Sequence, residues 1–167
     1  MKKVLALTLV AVLLAGCGAA ASVKTGLGHN ISIGKSKDAT AEAEGLAQVD
    51  TVMAAVTVDS SNKILGVVID TAQTKVNFDT TGKITSDKDA EQKTKVELGY
   101  DYGMKKAGSA REWFEQIAEL EKWMVGKTVD KITAIKDASE DADLKSKVSV
   151  SISDYQAAVA EAVANAK

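Results

Sequence analysis

Few side chains of this 167-residue protein could carry out covalent or metal chemistry. It contains one cysteine, Cys17, and one histidine, His29, so a histidine-based metal cluster is excluded and a catalytic triad would depend on His29 alone. No Gly-x-Ser-x-Gly sequence marks a nucleophile. His29 lies in an alternating apolar pattern, which favours an ordinary strand residue. We therefore expect no hydrolytic or transferase centre, and we favour a protein that is not an enzyme.

The acidic residues near the C-terminus raise the question of a cation site. They are Asp137, Glu140, Asp141 and Asp143, and part of this run alternates in the manner of a calcium loop. The central glycine and the closing glutamate of the EF-hand pattern are missing. The spacing favours solvated surface charge, and we predict no metal site.

Aromatic residues beside glycines form the strongest candidate binding constellation. Rings at helical spacing are commonly core residues, but rings beside a glycine-rich backbone can also provide a stacking wall for a planar ligand. The aromatic candidates for ligand binding are Tyr100, Tyr102, Trp113 and Trp123.

The first residues have the three parts of a secretory signal. Lys2 and Lys3 are basic, residues 4–14 are apolar, and Ala15 and Gly16 are small. The apolar run is too short to span a bilayer as a mature helix. Leu14-Ala15-Gly16-Cys17 resembles the lipobox of bacterial lipoproteins. This resemblance implies that residues 1–16 are a signal peptide and that Cys17 is lipidated and anchors an extracytoplasmic protein to the membrane; the alternative is an ordinary secretion signal with an incidental cysteine.

The charge balance limits the partners of the mature chain. The sequence has 21 basic and 23 acidic side chains, and removal of Lys2 and Lys3 leaves 19 against 23, a net charge of −4. A nucleic-acid partner or a polybasic membrane surface would require clustered basic residues. We expect contact with the membrane through the lipid and a protein partner at the cell surface.

The mature chain is predicted to have two parts. Residues 17–24 are the lipidated cysteine and a tether, and residues 25–167 form one domain.

Hydrophobic periodicity predicts an α+β domain with an antiparallel sheet of four to six strands. Alternating residues predict strands at 25–34, 51–58, 64–69, 74–78 and 148–152, with polar turns after Val58 and Phe78. An amphipathic helix near residues 110–125 would be capped by Ser109 and ended by Gly126. A short helix near residues 128–135 and a C-terminal helix from Ser153 complete the prediction.

This layout resembles the FMN-binding domain family, which includes flavinylated subunits of electron-transfer complexes and surface lipoproteins. The segments that carry the likeness are residues 56–70, 123–132 and 148–162. None is specific alone, and together they cover about half of the mature chain. The resemblance implies an FMN-binding-like fold.

The chain departs from this family at its flavinylation motif, Asp-x-x-Ser-Gly-Ala-Thr. The corresponding residues 137–143 contain Asp137 and Ser139 but no Gly-Ala-Thr, so covalent attachment of FMN is not predicted. Two hypotheses remain open. The favoured one is a non-catalytic ligand-binding or structural surface lipoprotein. The alternative is a lipoprotein that binds flavin without a covalent bond and carries electrons, with one of the four aromatic candidates stacked on the flavin ring and Lys105 or Lys106 near its phosphate.

Overall fold

The computed structural model describes residues 22–167 and shows an α+β domain. Its antiparallel sheet consists of β1 (Lys24–Ser32), β2 (Gly45–Val58) and β3 (Ile64–Phe78), in the order β1-β2-β3. The predicted class is confirmed. The predicted four to six strands are wrong, because the described residues form a three-stranded sheet. The predicted signal peptide and the lipidation residue Cys17 lie outside the described residues.

Two turns of the same design follow β2 and β3. Asp59 Oδ1 accepts hydrogen bonds from the backbone N–H groups of Ser61 and Lys63 at 2.8 and 2.9 Å, and Asn62 adopts a φ of 59°. Asp79 binds Thr81 and Lys83 in the same way at 2.8 and 3.0 Å. In each turn the aspartate side chain accepts hydrogen bonds from backbone N–H groups that have no strand partner, and these bonds stabilise the turn. The second turn leads to a single bridge, Phe78–Ile84, and not to a fourth strand.

Two predicted strands join into β3. The register is continuous from the pair Ala54–Ile69 to the pair Val49–Thr74. The residues between Ile69 and Thr74 include neither glycine nor proline, so no signal interrupts the alternation of side chains. β3 is consequently 15 residues long.

The predicted strand at residues 148–152 is not formed. The backbone N–H groups of Ser149 and Val150 donate instead to Oε1 of the buried Gln116, at 2.7 and 3.2 Å. A side chain from a helix thus satisfies the donors that a neighbouring strand would otherwise accept. Sequence alternation alone could not reveal this partner.

Four α-helices follow the sheet in the described residues: α1 (Lys95–Leu98), α2 (Trp113–Met124), α3 (Val129–Ile132) and α4 (Ser153–Ala164). Two 3₁₀ turns, Gly99–Tyr102 and Ala138–Glu140, lie between them. The N-cap of α2 is Glu112, not the predicted Ser109. The Glu112 carboxylate also accepts from Met104 N at 2.8 Å, so the buried cap holds the preceding loop as well.

The core lies between one face of the sheet and the helices. Val52, Ala54, Val56 and Val58 are buried at alternate positions of β2, as the pattern predicts. α4 packs closely on β1, where a Cβ at Gly28 would lie 2.2 Å from the carbonyl oxygen of Ala158. The opposite face of the sheet exposes apolar side chains, among them Leu27, Ile31 and Val68.

None of the helices within residues 22–167 is long and apolar enough to cross a membrane.

Candidate functional site

A polar cleft of about 300 Å³ lies between the sheet, α1, α2 and the start of α4. β2 contributes Asp50 and Val52, and β3 contributes Thr71 and Gln73. The helices and the loops beside them contribute Lys95, Tyr102, Met104, Trp113, Val150, Ser151, Asp154 and Tyr155. The cleft therefore combines charged, hydroxyl and apolar groups, which is the usual mixture in a small-molecule site.

Lys95 is the most unusual residue of the cleft. It is only 9% exposed, and its Nζ lies 4.8 Å from the centre of the Tyr102 ring and 5.2 Å from that of Trp113. Within residues 22–167 no carboxylate oxygen lies within 4.0 Å of this ammonium group. Lysine is rarely buried without an ionic partner, and aromatic faces compensate only in part for lost hydration.

The position of Lys95 is fixed by its short helix. Thr94 and Glu97 form a reciprocal capping box, in which Thr94 N donates to Glu97 Oε2 at 2.7 Å and Glu97 N donates to Thr94 Oγ1 at 3.3 Å. Asp70 on β3 accepts a hydrogen bond from Val96 N at 3.2 Å. These contacts attach α1 to β3 and hold Lys95 at the cleft.

Thr71 supplies a buried polar group without a partner. The residue is 3% exposed, and among the described residues its Oγ1 has no hydrogen-bond partner. Its hydroxyl lies near that of Tyr155 but outside hydrogen-bond geometry. A buried hydroxyl without a partner is costly, so a ligand group or a water molecule that binds Thr71 Oγ1 would stabilise the cleft.

The floor of the cleft is formed by Trp113 and Tyr155. Trp113 Nε1 donates to the Tyr155 hydroxyl at 2.8 Å, and the two rings pack edge to face with centroids 6.1 Å apart. Burial raises the pKa of Tyr155 above its usual value, an effect that the hydrogen bond from Trp113 opposes. Tyr155 therefore stays neutral at physiological pH.

The carboxylate on the rim is already occupied. Asp50 accepts from Lys35 Nζ and Gln48 Nε2, each at 2.6 Å, and from Gln73 Nε2 at 3.1 Å. Burial raises the pKa of Asp50, but the hydrogen bonds from Lys35, Gln48 and Gln73 outweigh it and leave the pKa below its usual value. Asp50 is therefore an ionised carboxylate whose charge is balanced by Lys35 and not by Lys95.

The structure divides the six candidate residues predicted from the sequence. Tyr102 and Trp113 meet at the cleft, and the Tyr102 hydroxyl donates to Gln73 Oε1 at 3.2 Å. Tyr100 is exposed and packs edge-on against Phe114, with centroids 5.1 Å apart. Tyr100 therefore lies outside the cleft.

The two candidate lysines also lie outside the cleft. Lys105 pairs with Glu115 at 2.9 Å, which raises the pKa of the lysine. Lys106 is exposed and, within residues 22–167, forms no salt bridge. Neither ammonium group is thus directed at the Tyr102–Trp113 pair.

Trp123 lies at the other end of α2. Its Nε1 donates to Asp141 Oδ2 at 3.0 Å, and Lys127 Nζ lies 4.5 Å above its ring. The acidic stretch around Asp141 is used to hold Trp123 and to close turns, as Asp141 also accepts from Asp143 N. No group of three or more His, Cys, Asp or Glu residues in the described part of the chain could hold a metal ion.

The site predicted from the sequence lacks Lys95, Thr71 and Tyr155. Lys95 ends the charged residues 87–95, whose composition favours an exposed loop or a marginal helix, and Thr94-x-x-Glu97 is a capping signature that marks a helix there. Thr71 lies between two runs whose alternation predicts separate strands. The three residues converge because α1 packs on β3 while α4 packs on β1 and β2, and no local signal in the sequence predicts this packing.

His29 does not form a catalytic arrangement with the residues around it. Its Nδ1 pairs with Glu161 Oε2 at 2.9 Å on the exposed side of the contact between β1 and α4. The backbone N–H of His29 donates to the same oxygen at 2.6 Å. The contact joins a strand to a helix and is typical of a structural interaction.

The chain was compared with protein-family models, with curated proteins and with solved structures, and it matches none of them.

Proposed function

We propose that this protein is a membrane-anchored extracytoplasmic lipoprotein whose α+β domain binds a small ligand without catalysing a reaction. The observation that carries ligand binding is the cleft, in which the buried Thr71 hydroxyl has no hydrogen-bond partner in residues 22–167 and Lys95 has no salt bridge in the same residues. A ligand that supplies these partners would recover the free energy lost on burial. The sequence of residues 14–17 supports the anchor.

A non-catalytic role agrees with the chemistry of the cleft. Its hydroxyl groups belong to Thr71, Tyr102, Ser151 and Tyr155, and its carboxylates to Asp50 and Asp154. Asp50 is held by three donors, and Asp154 accepts from Asn30 Nδ2 at 3.1 Å. No hydroxyl of the cleft is hydrogen-bonded to a carboxylate or imidazole base, which nucleophilic catalysis would require.

Ligand binding is tested by purifying the full chain from its host and extracting bound small molecules for mass spectrometry. The matched variants are Ser151→Trp, which places a large ring at the exposed edge of the cleft, and Ala118→Trp on the exposed side of α2. We expect a molecule to be retained by the wild type and Ala118→Trp but lost from Ser151→Trp. Equal retention by all three proteins would place the ligand elsewhere and contradict the proposal.

The anchor is tested by labelling cells with radioactive palmitate. We expect label in the wild type and in Gly18→Ser, and no label in Cys17→Ser, which should appear in the medium or in the soluble fraction. Persistent membrane attachment of Cys17→Ser would contradict lipidation at this residue. The protein partner expected at the cell surface stays a prediction.

The presence of both Tyr102 and Trp113 in the lining of the cleft favours one alternative, a flavin-binding electron carrier. Lys95 Nζ lies over both rings, however, and occupies positions that a stacked isoalloxazine would need. A visible absorption spectrum of the purified protein, before and after acid precipitation, tests this alternative. Flavin bands in the supernatant would support non-covalent FMN, bands in the pellet would show covalent flavin, and a colourless protein that takes up no added FMN would exclude the electron carrier.

A further inference from the structure

We propose that the cleft recognises a small carboxylate ligand, with the Lys95 ammonium and the Thr71 hydroxyl binding the two carboxylate oxygens. This inference rests on the proposed function and assigns the chemical class of its ligand. Both residues line the same cleft and are at least nine-tenths buried. Within residues 22–167 the buried Thr71 Oγ1 has no hydrogen-bond partner, and Lys95 forms no salt bridge.

Lys95 is available to an anionic ligand, because the carboxylates around the cleft contact other groups. Asp50 binds Lys35 at 2.6 Å, and Asp70 accepts from Thr71 N at 2.6 Å and from Val96 N at 3.2 Å. Glu97 completes the cap of α1. Asp154 is exposed at the start of α4 and is hydrogen-bonded to Asn30. An anionic ligand would therefore gain a charge-assisted hydrogen bond from a lysine that has no salt bridge in residues 22–167.

The donor set fits a carboxylate better than a phosphate. A carboxylate has two oxygens and one negative charge, which one ammonium group and one hydroxyl can match. Phosphate sites commonly offer arginine or several cations, whereas the only other cation lining this cleft, Lys35, is paired with Asp50. The single arginine of the chain, Arg111, does not line the cleft.

The remaining walls indicate a compact, partly apolar ligand body. Val52, Met104, Val150 and the Trp113 ring line the cleft beside Lys95. A volume of about 300 Å³ lies at the lower end of the range for small-molecule sites. An aromatic or branched aliphatic monocarboxylate has the matching size and polarity, and benzoate is a suitable probe.

The test is isothermal titration of the full chain, purified in detergent micelles, with benzoate, benzamide and inorganic phosphate. Benzamide has nearly the same shape as benzoate but no charge. We expect benzoate to bind, and we expect both benzamide and phosphate to bind at least tenfold more weakly than benzoate. Lys95→Met should weaken benzoate at least tenfold, while Lys106→Met, which changes an exposed lysine outside the cleft, should bind as the wild type does.

Two further variants keep the test decisive. Lys95→Met removes a charge that has no salt bridge in residues 22–167 and should fold with an unchanged Tm. Thr71→Val keeps nearly the same side-chain shape but lacks the hydroxyl, so it should bind benzoate several-fold more weakly. Thr71→Ser keeps the hydroxyl and should retain benzoate binding. If Lys95→Met failed to fold, the Thr71 pair would decide the question.

The outcomes separate this inference from the proposed function. Absence of benzoate binding, equal binding of benzoate and benzamide, or wild-type affinity in Lys95→Met would overturn the carboxylate assignment. Preference for phosphate would overturn it as well. If a ligand of another class were found that Ser151→Trp excludes and Lys95→Met does not affect, the proposed function would stand and this inference would fail.

Discussion

Trp113 Nε1 donates a buried hydrogen bond of 2.8 Å to the hydroxyl of Tyr155, and this bond joins α2 to α4 beneath the cleft. Both residues are buried, with exposed fractions of 1% and 6%. The pair therefore connects the packing of the two longest helices in residues 22–167 to the floor of the candidate site.

Removal of the Tyr155 hydroxyl should destabilise the protein. Tyr155→Phe leaves the buried indole N–H of Trp113 without an acceptor, which we expect to cost about 1–3 kcal/mol of unfolding free energy. Urea denaturation followed by tryptophan fluorescence measures the change. Tyr100→Phe is the matched control, since Tyr100 is exposed. Equal stability of the two variants would show that Trp113 finds another acceptor.

The close packing of α4 on β1 depends on glycine. A Cβ at Gly28 would lie 2.2 Å from Ala158 O and 2.3 Å from Ala162 N, both backbone atoms that can move only with the whole helix. Gly28→Ala should therefore cost about 3 kcal/mol or prevent folding. In Gly34→Ala the nearest atom is the flexible Ser32 Oγ at 3.4 Å, so circular dichroism melting should show little change. A Tm of Gly28→Ala equal to that of Gly34→Ala would contradict the packing described.

Gln116 should be more important than an ordinary helical glutamine. Its Oε1 accepts from Ser149 N and Val150 N, and its Nε2 donates to Arg111 O at 3.1 Å. Gln116→Leu should lower the unfolding free energy by about 1–3 kcal/mol and accelerate amide hydrogen exchange at Ser149 and Val150. Gln92→Leu, at an exposed position, is the control. Unchanged exchange at Ser149 and Val150 in Gln116→Leu would show that Gln116 does not replace the missing strand.

The pH dependence of stability should carry opposite contributions from two glutamates of α2. Burial raises the pKa of Glu121, Asp70 raises it further, and the 2.6 Å hydrogen bond from Ile69 N opposes the rise. The folded state thus binds this proton more tightly than the unfolded state does, so the stabilisation is present at acid pH and is lost as pH rises through the folded pKa. The hydrogen bond with Lys147 lowers the pKa of Glu119, so its stabilisation is present above the unfolded pKa and is lost as pH falls.

Urea denaturation of the wild type, Glu121→Gln and Glu119→Gln between pH 4 and 7 measures both effects. For Glu121, the quantity to compare is the unfolding free energy of the wild type minus that of Glu121→Gln, and this difference should fall as pH rises. The fall should be smaller than the roughly 1.4 kcal/mol that corresponds to one pKa unit, because Glu121 is only partly buried. The corresponding difference for Glu119→Gln should rise. Parallel slopes for the two variants would contradict these assignments.

The sequence by itself determined the local features of this protein. The Asp59 and Asp79 turns depend on an aspartate that binds backbone groups two and four residues ahead, so their residues suffice to predict them. The apolar spacing of Trp113, Ile117, Leu120 and Met124 likewise predicted the buried face of α2, because side chains at three- and four-residue intervals share a side of a helix. The α+β class follows from the same periodicities.

Only the tertiary structure decided the number of strands and the composition of the candidate site. Alternation predicted a strand at residues 148–152, but the donors there are satisfied by Gln116, which is 33 residues from Ser149 in the chain. The clustering of aromatic residues predicted one site, yet packing separates Tyr100 and Trp123 from Tyr102 and Trp113 and brings in Lys95, Thr71 and Tyr155. Residue type and spacing encode the local conformation of the backbone, whereas the partners of a buried polar group are set by which distant elements pack around it.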